Sequence, residues 1–313
     1  MGSEKNWVAM TKKKDWKNLL LSSGVPLEYS IKSILENLGI DRPSEFSYIK
    51  RNEYGQDITF SVDIYANKLL HSNIFLEFFV ECKYRHDNVK WIFTPSKYEV
   101  FFGPEFRDIF IILDHCNEKL KINSEEINEF HNLYDLCGKG IEILPNASNP
   151  EGIKRGIYQL KYCIVHKIVD SLKHQINKWL GSKEHCFILV PILVTTAQLW
   201  RMKEGATLEG IRESEDIEEI CEKKDILLLH EEPNPTLIGH TLEHIMSNLT
   251  QGEMNILDEK LKKNWREEGL RFYMSYVANN FPSMFLIINY SRFEKAIKNC
   301  VSFFQTHSFL KQL

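Results

Sequence analysis

Several things that decide function in other proteins are missing from this 313-residue chain. The seven cysteines, Cys82, Cys116, Cys137, Cys163, Cys186, Cys221 and Cys300, are odd in number and include no Cys-x-x-Cys pair, so they suggest neither a zinc ribbon nor a disulfide framework. Several lie in apolar runs, where a thiol acts as a small core residue, and a reducing, intracellular setting is expected. No apolar stretch approaches the ~18 residues that span a bilayer. Met1 to Lys14 is polar and lacks the apolar region of a signal peptide, so a cytoplasmic protein without a membrane partner is expected. Positive charge is not in excess: Lys+Arg is 39, Asp+Glu is 43 and the formal charge is −4. That balance argues against unspecific coating of DNA, and still permits an enzyme with a local basic groove. There is no P-loop and no Gly-x-Gly-x-x-Gly, which argues against a nucleotide-driven motor in this chain, and no Gly-x-Ser-x-Gly elbow.

What remains is an ordinary globular composition, 43% apolar and 26% charged, with strand-like and helical patterns mixed throughout and no repeats. Trp16 to Ser23 reads as a short helix. Gly24-Val25-Pro26 opens a second one, with Leu27, Ile31, Ile34, Leu35 and Leu38 on one stripe and Gly39 as its C-cap. Phe46 to Arg51, Thr59 to Ala66 and Ile74 to Tyr84 read as strands, with a turn around Gly55. Asp108 to Asp114 reads as a buried strand, Asn123 to Leu136 as a helix, Asn146 to Gly152 as a loop, and Ile153 to Leu180 as a long helix. Cys186 to Thr195 reads as a buried strand whose Pro191 suggests an edge position or a bulge. Helices are expected over Ser214 to Glu222, His240 to Asn248 and Leu257 to Asn280, strands over Ile226 to His230 and Phe285 to Tyr290, and a last helix from Arg292. The expectation is one α/β domain, a central mixed sheet flanked by helices, with a core over about 16–200 and a helical C-terminal elaboration over about 201–313.

The informative segment runs from Phe60 to Arg85. Glu81 and Lys83 lie two residues apart in one strand, so alternation puts both on one face. An antiparallel neighbour would bring Asp63 beside them. Two carboxylates and a lysine at one spot suit phosphodiester hydrolysis: Asp63 and Glu81 offer hard oxygens to Mg²⁺, with the Cys82 carbonyl close by, and Lys83 can orient or deprotonate a water. The plainer reading is a surface strand pair joined by salt bridges. FSVDIYA and FLEFFVECKY look buried, however, and unpaired charge there is expensive.

These residues, Asp63 and then Glu81-Cys82-Lys83 on two hydrophobic strands after an amphipathic helix, resemble the PD-(D/E)xK, or restriction-endonuclease-like, nuclease superfamily. The resemblance covers roughly residues 24–115 and extends to the helix at Gly156-Ile157-Tyr158-Gln159 and the strand Val190 to Thr196. It implies a Mg²⁺-dependent endonuclease, with Mn²⁺ able to substitute, acting on DNA in restriction, defence or repair. A homodimer fits that picture, and a gating partner protein is left open. The segment Gly24 to Glu28 is similar to the opening helix of some members, which makes Glu28 a fourth catalytic and metal-binding candidate; as a first-turn acid it also simply suits the helix N-terminus. The family pattern departs in two places. Val62 precedes Asp63 where a proline is usual, and Gln159 and Tyr162 are one residue short of the Gln-Tyr spacing of RecB-type members.

Nucleic-acid contacts are expected from Lys50, Arg51, Arg85 and Gln159. Lys12 to Lys14, His86, Trp91 and Lys97 could extend a phosphate-binding groove, although a solvated face serves equally for the first three lysines. His240 and His244 are four apart and could share a zinc ion, but no third ligand is evident and a plain histidine pair is the favoured reading. A non-catalytic interaction module on the same fold is the alternative function. For the C-terminal third, target recognition or dimerisation is an idea without a motif behind it.

Overall fold

The computed structural model describes residues 16–51, 54–71, 74–96, 111–113, 133–179, 185–264 and 267–306. A short helix α1 (16–22) leads into α2 (Val25–Asn37), then a meander β1 (Asp41–Arg51), β2 (Asp57–His71), β3 (Ile74–Lys83). Next come β4 (Lys90–Pro95), β5 (Ile111–Leu113), β6 (Asp135–Leu144) and β7 (Ala147–Asn149), then the long helix α3 (Glu151–Trp179). The chain continues through β8 (Cys186–Thr195), β9 (Gln198–Met202), α4 (Leu208–Glu213), α5 (Ile217–Ile220), β10 (Cys221–Lys224) and β11 (Ile226–His230). It closes with α6 (Pro235–Asn248), α7 (Gln251–Asn264), α8 (Gly269–Asn280), β12 (Met284–Asn289) and α9 (Phe293–Thr306).

The strands form one mixed sheet in the order β1-β2-β3-β8-β12-β11-β6-β4-β9-β10, with β5 on β8 and β7 on β6. β3 and β8 pair in parallel, and after short breaks the same two chain segments pair again in parallel as β4 and β9. The path that leaves β8 through β12, β11 and β6 therefore returns to β4, only a few residues beyond β3. The sheet curls back on itself, and Lys83, Arg85 and Thr195 lie at the turn of that curl.

Alternation along the strands sorts two cores. Phe79, Leu189, Leu193, Leu227, Phe285 and Ile287 face α3, with α6, α7 and α8 stacked beyond it. Phe78, Val80, Ile188, Ile192, Leu228 and Leu286 face α2 and α9. With helices on both faces all ten residues of β8 are buried, which is why it reads as a continuous apolar run. Among the described residues no helix is long and apolar enough to cross a membrane.

Several expectations need correction. Pro191 is neither on an edge nor in a bulge: β8 is central, and Pro191 falls where its far flank passes from β5, paired up to Leu189, to β12, paired from Ile192. Its missing N–H thus coincides with a gap between partners. Asp135 and Leu136 begin β6 rather than end a helix. That strand is disguised by Gly138 and Gly140, and at Gly140 a Cβ would stand 2.5 Å from the Phe93 ring. The expected helix over Ser214 to Glu222 is helical only over α5, since Cys221 starts β10 against β9. Leu257 to Asn280 is two helices, and Asp258 accepts the Leu270 N–H at the start of the second. The strand over Asp108 to Asp114 is described only as β5, and residues 123–132 of the expected helix, with Lys12 to Lys14, Lys97 and Cys116, lie outside the described residues. β4, β7, β9, β10 and α4 were not anticipated.

Candidate metal centre

Asp63, Glu81 and Lys83 meet where β2 and β3 end their ladder. The last paired residues are Ile64 and Val80, so Asp63 stands next to Glu81 across the strands. Strict alternation breaks here. On β1, the step from Ser44 to Phe46 spans Tyr65 to Val62 on β2, one residue too many. Val62 and Tyr65 consequently both face α3, while Ile64 faces α2. The bulge turns Asp63 aside, and its Oδ2 accepts the Cys82 N–H at 2.7 Å. Glu81 and Lys83 share the α3 face, with Lys83 Nζ donating to Glu81 Oε1 at 2.5 Å and to Gln159 Oε1 at 3.2 Å. Gln159 is steadied by donating to the Ser61 carbonyl at 3.3 Å. α3 comes this close because residue 156 is glycine: a Cβ there would meet Leu193 at 2.7 Å and the Lys83 stem at 3.4 Å.

The electrostatics are lopsided. Burial, and then the neighbouring Asp63, push the Glu81 carboxyl up to about 7. Burial also raises Asp63, against the Cys82 hydrogen bond and Lys83. Glu28, on α2, is raised by burial and next by Asp63, which places it in the same field. Lys83 and Lys32 are the cations that oppose these shifts, and Glu45 adds a further negative charge. Glu81 Oε2 is buried and has no hydrogen-bond partner. An unsatisfied buried carboxylate oxygen is costly, but Glu77 Oε2, in its salt bridge to Lys167, is left in the same way, so the bare atom of Glu81 counts only together with Asp63 across the strands. The set is short of positive charge and rich in hard oxygens, which suits a divalent cation.

Beyond Gln159 opens a cavity of about 650 Å³ lined by Tyr48, Lys50, Lys154, Arg155, Tyr158 and Lys161 among others. Lys50 lines it, lying 3.5 Å above the Tyr162 ring and donating to the Tyr158 hydroxyl at 2.9 Å. Arg85 does not. It is turned inward onto the carboxylate of the buried Glu142, which also accepts from Trp91 Nε1 and Asn149. Trp91 is fully buried, so it lines no groove. Arg51 closes β1 with its side chain outside the described ones, and His86 is exposed against the edge of Tyr84.

Sequence reasoning missed Lys154, Arg155 and Tyr158, and above all His166, which joins His240 and His244 in a three-ring cluster. The signal was present in the helical spacing. Arg155, Gln159, Tyr162 and His166 fall three or four residues apart on α3 and so share one face. Comparison with protein-family models, with curated proteins and with solved structures finds no match to this chain.

Proposed function

We propose that the protein is a Mg²⁺-dependent phosphodiesterase, an endonuclease of the PD-(D/E)xK type that acts on nucleic acid, DNA before RNA. The observation that carries the reading is Glu81 Oε2, buried and unpartnered beside a second raised carboxyl at Asp63. Asp63, Glu81 and the Cys82 carbonyl would hold the ion, with Glu28 as a further oxygen donor. Bound there, Mg²⁺ supplies the charge that polarises a phosphate and acidifies a water. Lys83, held between Glu81 and Gln159, is in place to orient that water and to offset charge on the reacting phosphate. Lys50 and Arg155 give the adjoining cavity an excess of positive charge, with Lys154 and Lys161 paired there to Glu151 and Glu231, and the Tyr158 ring, partly exposed, offers a face for a base to stack on. The resemblance also extends to the helix at Gln159 and the strand at Val190 to Thr196. In the fold, α3 lies across the site and β8 pairs β3 in parallel through Lys83 and Thr195, which supports the same reading.

The test is cleavage of supercoiled, linear and single-stranded DNA and of RNA with Mg²⁺ or Mn²⁺, beside folded Asp63→Ala and Lys83→Ala proteins. Both variants are expected to lose activity by at least ~100-fold, the scale of a removed acid–base or charge-stabilising group. Equal activity in all three proteins would place the chemistry elsewhere. If none cleaves, Mg²⁺ calorimetry decides: binding that Asp63→Ala abolishes indicates a non-catalytic module retaining the site, and no binding overturns the metal centre as well.

A further inference from the structure

His166 on α3 and His240 and His244 on α6 each present one ring nitrogen, and these atoms lie within 4.8 Å of one another. The rings crowd as well as converge. Centroids are 3.8 Å apart for His166 and His244, 5.6 Å for His240 and His244, and 5.7 Å for His166 and His240. Tyr48 covers His166 at 5.0 Å and Tyr162 covers His240 at 4.9 Å. A histidine packed as an ordinary core residue has its nitrogens satisfied. Here His166 Nε2 and His240 Nε2 are both buried without a hydrogen-bond partner. Burial first, then the neighbouring histidines at His166 and His244 and Lys50 at His240, also favour neutral rings, the form that ligates metal.

We propose that His166, His240 and His244 form a second metal site, taking Zn²⁺ in preference to Mg²⁺, that pins α6 to α3. Three imidazoles with no carboxylate select a borderline transition ion and offer nothing to a hard cation. The two orphaned nitrogens become ligands, and the third comes from a residue on the helix that already carries one of them. Asn248, 3.1 Å from His244 Nδ1, supplies the outer contact. Its Nδ2 also donates to the His244 carbonyl at 3.0 Å, which holds the amide beside the ring. Lys50 and Lys173 are the nearby cations and Glu243 the nearby acid. The fourth position therefore takes water, hydroxide or a small anion.

The test uses the full chain, stripped with a chelator and titrated with Co²⁺ in excess Mg²⁺, which keeps the carboxylate site filled. One equivalent is expected to bind with the visible absorption of a tetrahedral cobalt–imidazole centre and to be displaced by stoichiometric Zn²⁺. His240→Asn and His244→Asn are expected to weaken binding by more than about 100-fold, beyond the effect of losing an outer contact, with an unchanged far-ultraviolet spectrum. Asp63→Asn is expected to leave the cobalt spectrum as it was. His240→Cys is expected to retain the ion and add a thiolate-to-cobalt charge-transfer band, a signature of direct ligation that does not depend on the asparagine variants folding. No cobalt uptake by the unaltered protein, or a spectrum identical in every histidine variant, would overturn the site.

Discussion

At Glu81 a carboxylate that is 1% exposed receives one ammonium on Oε1 and nothing on Oε2. Its carboxyl is raised from 4.5 to about 7, so the folded state holds a proton that the unfolded chain gives up sooner. The penalty for ionising it is absent below about pH 4.5, grows as pH rises, and is complete above about 7, where it amounts to roughly 3 kcal/mol. Metal-free protein is therefore expected to lose stability across that window, and Glu81→Gln to lose much less. Denaturant unfolding in chelator at pH 5 and pH 8 measures this, and parallel pH dependences in the two proteins would contradict it. The spacing of Glu81 and Lys83 was legible because a strand's period is two. That an antiparallel strand brings Asp63 beside them was legible too, whereas the turn of its side chain onto the Cys82 N–H was not, because it depends on a bulge created by pairing with β1. Arg85 was misassigned for a related reason: nothing local announces Glu142, fifty-seven residues away, as its partner.

Elements carried by strong periodicity were readable from the chain. The stripe of α2, the length of α3, the all-apolar β8 and the run of β12 each follow from burial that repeats at the helical or strand interval. Elements that owe their form to a neighbour were not, as β6 with its two glycines and β10 against β9 show. The C-terminal third is structural at this scale: β12 pairs β8 over Leu286 to Asn289, and β11 joins β12 to β6. Removing residues 201–313 would strip β8 of β12 and expose Ile192 to Thr195 along a central edge. Such a truncated chain is expected to show no cooperative thermal transition and to aggregate, as long exposed hydrophobic edges do. A soluble truncation with a sharp melting transition would show that the first 200 residues fold alone.

For the molecule as a whole, net charge and local charge point in opposite directions. The chain carries −4, yet Lys50 and Arg155 gather on one cavity beside the carboxylates, with Lys154 and Lys161 there paired to Glu151 and Glu231. If that cavity holds phosphates, Lys154→Ala combined with Arg155→Ala should flatten the dependence of single-stranded DNA affinity on salt by roughly 1.4 in log–log slope. An unchanged slope would remove these two residues from the interface. The amino-acid sequence by itself determined the α/β class, the principal helices and strands and the shared face of Glu81 and Lys83, because hydrophobic period and close spacing are local properties. The tertiary structure alone decided the curl of the sheet, the bulge that turns Asp63, the inward turn of Arg85 and the meeting of His166 with His240 and His244. Those depend on which distant segments share the interior, and the need to bury apolar surface on both faces of one curled sheet settles that for the whole chain at once.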